Sequence, residues 1–168
     1  MVLLAIAIAK ILTGHMEKVY DRKRVNTEAV AAYSSVSEPL QDLGIDTTKP
    51  TPAACGPGVE LLYKYSCGTE TRIQPLMYTG EAQELKKMAD KFAIFDQRMQ
   101  QNGWMLDQTD FRSNTDPPSD IWTSLLYNDI TLIAYRKKSC YLTFSYLTAH
   151  TKYDYHNTLS CEIYKEPF

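Results

Sequence analysis

The chain has 168 residues, 44% of them hydrophobic and 23% charged, with a formal net charge of −2. That length suits one folded domain with an appendage, and 7 Gly and 8 Pro exclude collagenous and low-complexity classes. A slightly acidic chain also lacks the broad basic surface of a nucleic-acid binder. The charge is uneven, however. Lys10, Lys18, Arg22, Lys23 and Arg24 stand close together against only Glu17 and Asp21, which leaves 13 basic and 18 acidic residues elsewhere. A basic stretch on an acidic body implies that the first 24 residues meet a different environment, such as anionic lipid headgroups.

Residues 1–14 read as an apolar anchor or signal-like segment. Met1-Val-Leu-Leu-Ala-Ile-Ala-Ile-Ala9 is followed by Lys10, Ile11 and Leu12, a run shorter than the roughly 20 apolar residues of a membrane-spanning helix. Three readings fit it. One is a signal-peptide core with Ala5, Ala7 and Ala9 as a cleavage-like pattern, although no basic residue precedes it. The second is the end of a membrane helix that continues upstream. The third is an apolar helix buried in the protein or in an assembly. The basic residues from Lys18 to Arg24 favour a cytoplasmic flank by the positive-inside rule, which opposes what the cysteines indicate.

Residues 15–34 read as a stalk helix, with Met16, Val19, Tyr20, Ala29, Val30 and Tyr33 loosely on one face. Ser34, Ser35, Ser37 and Pro39 are expected to end it. Residues 35–58 then read as a Pro/Gly-rich linker or strap, punctuated by Pro39, Gly44, Pro50, Pro52, Gly56, Pro57 and Gly58. Residues 59–168 form the body. Val59–Ser66, and more weakly Arg72–Tyr78 because of Pro75, can add an edge strand or hairpin.

The clearest element is a helix over Glu81–Asn102. Leu85, Met88, Ala89, Phe92, Phe95 and Met99, with Ile94 beside them, recur at three- and four-residue spacing and make one apolar face. Thr79 or Gly80 suits its start, Glu81 and Glu84 the positive end of its dipole, and Gly103 its termination. Strand chemistry follows. Trp104–Leu106 begins a strand that is interrupted by the polar 113–120 loop. Ile121–Tyr127 and Ile130–Arg136 flank an Asn128-Asp129 turn, and Lys137-Lys138 makes the next one. In Cys140–Leu147, alternation puts Cys140, Leu142, Phe144 and Tyr146 on one face; in Thr158–Tyr164 it groups Leu159, Cys161 and Ile163. The fold class is α+β: an apolar N-terminal helix, then one amphipathic helix on a three- to four-stranded antiparallel meander.

Four cysteines, Cys55, Cys67, Cys140 and Cys161, make an even set with no Cys-x-x-Cys spacing. With only three histidines, a zinc site is poorly supported. If Cys140 pairs opposite Cys161, Leu142 faces Leu159 and both apolar faces align; Cys55 and Cys67 then remain to pin the strap. Buried free thiols are the other reading. Disulfides imply an oxidising compartment.

His150, Tyr153, Asp154, Tyr155 and His156 lie in the most chemically varied loop and are the candidate ligand residues, although a polar hairpin loop needs no ligand. No phosphate-binding Gly-rich loop, Gly-x-Ser-x-Gly or His-Glu-x-x-His motif occurs, and no cofactor or metal is implied.

An apolar N-terminal helix, a helix on an antiparallel meander and a C-terminal disulfide resemble the layout of type IV pilins and pseudopilins. The chain departs from them in having no Gly-Phe processing junction and Ala5 where a pilin-like N-terminus carries Glu. It also resembles short, single-anchor extracytoplasmic proteins of bacteria. The resemblance implies a membrane-anchored, periplasmic or cell-surface binding or assembly module without catalytic activity. Its partners would be the membrane, through the N-terminal segment, and a protein or further copies, with no nucleic acid. A secreted location is the alternative. Two other classes stay open: a small secreted hydrolase or toxin-like effector using His150, Asp154 and His156, and a cytoplasmic regulatory domain with reduced cysteines.

Overall fold

The computed structural model describes residues 2–57, 65–73, 82–111, 130–147 and 154–165. Helix α1 runs from Val2 to Asp42 and α2 from Ala82 to Gln101. The strands are β1 (Ala54–Pro57), β2 (Tyr65–Ile73), β3 (Met105–Phe111), β4 (Ile130–Lys137), β5 (Cys140–Leu147) and β6 (Asp154–Lys165). They form one antiparallel sheet in the order β1-β2-β6-β5-β4-β3. The α+β class is as expected, but the sheet has six strands rather than three or four. The strands underread in the sequence are polar. Tyr65, Cys67, Thr69, Thr71 and Ile73 alternate inward along β2, so two of its five core-facing residues are threonines. β3 carries two register shifts that break its alternation. β2 pairs with both β1 and β6; of the expected Val59–Ser66 and Arg72–Tyr78 segments only the parts within β2 are among the described residues.

Helix α1 overturns the expected boundary between stalk and strap. It passes through Ser34, Ser35, Ser37 and Pro39 without ending. Val25, Ala29, Ala32, Val36 and Leu40, spaced by three or four residues, are buried against the sheet. Small alanines let the helix lie close, but they give the sequence little hydrophobic contrast. Of the residues expected to share a face, Met16, Val19, Tyr20 and Val30 are exposed. The body therefore starts within α1 rather than at residue 59. Part of the expected strap is strand β1, held to β2 by the Cys55–Cys67 disulfide.

A proline inside a helix leaves the carbonyl four residues earlier without its donor. Here that group is the Ser35 carbonyl, and Asn102 Nδ2 at the end of α2 donates to it at 2.8 Å. Trp104 Nε1 donates to the Ser35 hydroxyl at 3.0 Å beside it. Pro39 is thus tolerated because a tertiary contact replaces the missing bond. Asn102→Ala is expected to cost about 1 kcal/mol, seen calorimetrically as a melting point roughly 2–4 °C lower. In a Pro39→Ala background the restored N–H can serve Ser35, so the Asn102 effect should shrink. Equal effects in both backgrounds would disprove the compensation.

Both helices end in the same way. Gly44 (φ 80°) and Gly103 (φ 77°) take the left-handed conformation that glycine adopts freely. Gly44 N donates to Gln41 O at 2.8 Å and Ile45 N to Leu40 O at 2.9 Å; Gly103 N donates to Gln100 O and Trp104 N to Met99 O, both at 2.9 Å. This is the Schellman arrangement, and the residue after each glycine, Ile45 or Trp104, is buried as the motif prefers. Gly103 ends α2 as expected; Thr79, Gly80 and Glu81 lie outside the described residues.

The core lies on one side of the sheet. α1 contacts β1, β2, β5 and β6, while α2 places Phe95 edge-on against Phe92, Tyr135 and Phe144 at centroid distances of 6.5, 5.9 and 5.6 Å. Opposite this side, Thr143 and Thr158 pair through their hydroxyls at 2.5 Å. The β4–β5 turn is Lys138-Ser139, one residue later than expected, because Lys137 still pairs with Cys140; Lys138 has φ 56°. Ile121–Tyr127, Asn128-Asp129 and Pro75 lie outside the described residues. Among those described, no helix is long and apolar enough to cross a membrane. In the sequence, Lys10, Thr13, Gly14, His15 and Glu17 interrupt the apolar run.

Candidate functional site

Two surfaces draw attention, both on α1: the joint where the helix leaves the sheet, and the length of helix beyond it. The joint is polar and closed. Asp21 is only 3% exposed. The Tyr65 hydroxyl donates to Asp21 Oδ2 at 2.6 Å, and Lys165 Nζ, at the end of β6, lies 3.6 Å from the same oxygen. Burial, then the hydrogen bond to Asp21 and its negative charge, push the Tyr65 phenol well above its ordinary range. It therefore stays protonated and keeps donating at physiological pH. Lys18 Nζ sits 5.2 Å from the Tyr65 ring centroid. The Lys18 carbonyl oxygen lies 3.7 Å from Cys55 Sγ and 4.0 Å from Cys67 Sγ. These are packing contacts, because a disulfide sulfur has no proton to donate. About two turns beyond Asp21, Glu28 ties α1 to the β4–β5 turn. It accepts from Arg24 Nε at 3.0 Å and from the Ser139 hydroxyl. Burial raises the Glu28 carboxyl, but the Ser139 and Arg24 hydrogen bonds outweigh it and hold it below its usual range.

Beyond the joint, α1 presents apolar side chains to solvent. Ile8, Ile11 (71% exposed), Leu12, Met16 (66%), Val19 and Tyr20 are all exposed. At about 100° per residue, Ile8, Leu12, Met16 and Val19 form a stripe roughly a third of a turn away from the buried Val25–Ala29–Val36 face. The stripe is therefore a second apolar face, with its own direction, rather than an overrun of the core. Beside it, a cleft of about 280 Å³ is lined by Thr13, Met16, Glu17, Tyr20, Asp21 and Lys165. A second cleft of about 220 Å³ separates the end of α1 from α2, lined by Pro39, Asp42, Lys91, Ile94, Phe95 and Arg98. There Arg98 is occupied by Asp42 and lies 3.8 Å from Glu38.

The ligand residues expected from the sequence fall only in part among the described residues. His150 and Tyr153 lie outside the described residues. Asp154, Tyr155 and His156 belong to strand β6, paired with Leu147, Tyr146 and Ser145, and not to a loop. Tyr and alternating polarity suit a strand, so the hairpin loop is shorter than expected. Among the described residues, no group of three His, Cys, Asp or Glu side chains could hold a metal. Cys140 joins Cys161 and Cys55 joins Cys67. The pair Leu142–Leu159 lies in the same register as Cys140–Cys161. Two disulfides suit an oxidising, extracytoplasmic environment.

The joint was hidden in the sequence. Its only signal is an acid, Asp21, standing four residues before Val25 on what proves to be the buried face. No protein-family model, curated protein or solved structure matches this chain. A functional reading therefore rests on the fold and its surfaces.

Proposed function

We propose that the chain is a non-catalytic, extracytoplasmic module that is held at a membrane surface, and assembles there, through the projecting half of α1, in the manner of pilin-like subunits. The observation that carries this reading is the exposed apolar stripe Ile8–Leu12–Met16–Val19, set apart from the core face of the same helix. Water disfavours such a surface by about 25 cal/mol per Å², and contiguous exposed apolar patches mark interaction sites. The two disulfides and the pilin-like layout, a long helix whose latter half packs on an antiparallel sheet, support the same reading.

The test is Leu12→Asp/Met16→Asp in the full chain. Wild type is expected to sediment as oligomers or to partition into membranes. The variant should be monomeric and soluble with its melting point nearly unchanged, since both side chains are largely exposed. A wild-type chain that stays monomeric at high concentration and ignores membranes would overturn the reading.

A further inference from the structure

We infer that the projecting half of α1 is an interfacial element that reads an anionic lipid surface, with its apolar stripe in the headgroup–acyl boundary and Arg22 and Lys23 on the phosphates. The inference rests on the proposed membrane reading and specifies its partner. The stripe and the basic residues share one side of the helix. At about 100° per residue, Arg22 and Lys23 fall on either side of the direction defined by Ile8, Leu12, Met16 and Val19, while Thr13 and Glu17 fall toward the far side. Val30, exposed on the same line, extends the apolar direction beyond them. Lys and Arg bordering an exposed apolar stripe suit a helix at the membrane interface, where their long side chains reach back to the phosphates. It also agrees with the lack, among the described residues, of a helix able to cross a bilayer.

The fold sorts the charge. Of the acids on α1 near the basic cluster, neither Asp21 nor Glu28 is offered outward. Asp21 is buried against Tyr65 and Lys165, and Glu28 is engaged by Ser139 and Arg24. Arg22 and Lys23 are exposed, while Lys165 and Arg24 are the cations that pair with Asp21 and Glu28. Each of these pairs cancels internally, so the positive charge left on this side of the helix is carried by Arg22 and Lys23. The rest of the chain has an excess of acidic residues, so an anionic membrane repels the body while attracting this end, which sets the orientation. The core face of α1 lies a third of a turn from the stripe, so the sheet sits away from the lipid when the stripe is down.

The full chain should be mixed with vesicles of neutral phosphatidylcholine and with vesicles containing 30% phosphatidylglycerol, at low and high NaCl. Binding is expected to be on the order of 10-fold or more tighter to the anionic vesicles, weakening with salt. Arg22→Gln/Lys23→Gln should lose about 30-fold on anionic vesicles and almost nothing on neutral ones. Leu12→Asp/Met16→Asp should lose binding to both. Equal wild-type binding to the two compositions would overturn the inference and leave the membrane reading standing. Oligomers without vesicle binding would also overturn it, making a second copy the occupant of the stripe and leaving assembly intact. A chain that neither binds vesicles nor oligomerises would overturn both.

Discussion

Phe95→Asp is expected to prevent the body from folding, and Phe95→Ala to lower its melting point by on the order of 10 °C. Phe95 is 2% exposed, and its ring packs edge-on to both Tyr135 of β4 and Phe144 of β5. Truncating a buried phenylalanine costs about 3–5 kcal/mol through lost burial and the cavity left behind. In a domain of this size each kcal/mol corresponds to roughly 2–4 °C. Aspartate adds an unpaired charge among aromatic rings, which the fold cannot accommodate. Circular dichroism of both variants, with calorimetry of the alanine one, measures this. An alanine variant melting with wild type would mean that α2 does not pack on this sheet face.

The second large effect concerns the disulfides. Replacing Cys140 and Cys161 together by alanine should destabilise the chain by more than the same change at Cys55 and Cys67. The two bridges span 21 and 12 residues, and the chain-entropy model assigns each about 3 kcal/mol. Loop length therefore does not separate them; burial does. Cys140 and Cys161 are both 1% exposed within the core cluster, so alanine there also leaves a gap between packed strands. In the other bridge Cys67 is equally buried, but Cys55 is only partly so, on the short edge strand β1. Mild reductant should accordingly open Cys55–Cys67 first, as alkylation and mass spectrometry of the digested protein would reveal. Prior alkylation of Cys140 and Cys161 would contradict the burial argument.

How much of this was legible beforehand depended on whether a residue's neighbours are close in sequence. Helix α2 was readable because Phe92, Phe95 and Met99 announce their face by spacing, and Gly103 its end by its lack of a Cβ. The β5–β6 register was readable because two constraints, Cys140 with Cys161 and Leu142 with Leu159, agree on a single alignment. The α+β class follows from those elements alone.

Tertiary structure decided the rest, where local preference points the wrong way and a distant group reverses it. Pro39 should end a helix, and does not, because Asn102, 63 residues later, donates to the Ser35 carbonyl. Thr69 and Thr71 give β2 no apolar alternation, yet pairing with β6 and cover from α1 bury them. Asp21 reads as one more surface charge until Tyr65 and Lys165 close over it. The same holds for the proposed site. The apolar and basic residues of the first 24 positions were plain in the sequence. Which side of α1 faces the sheet, and therefore which apolar and basic side chains remain for a partner, is set by contacts between residues far apart along the chain, and spacing within one helix cannot encode them.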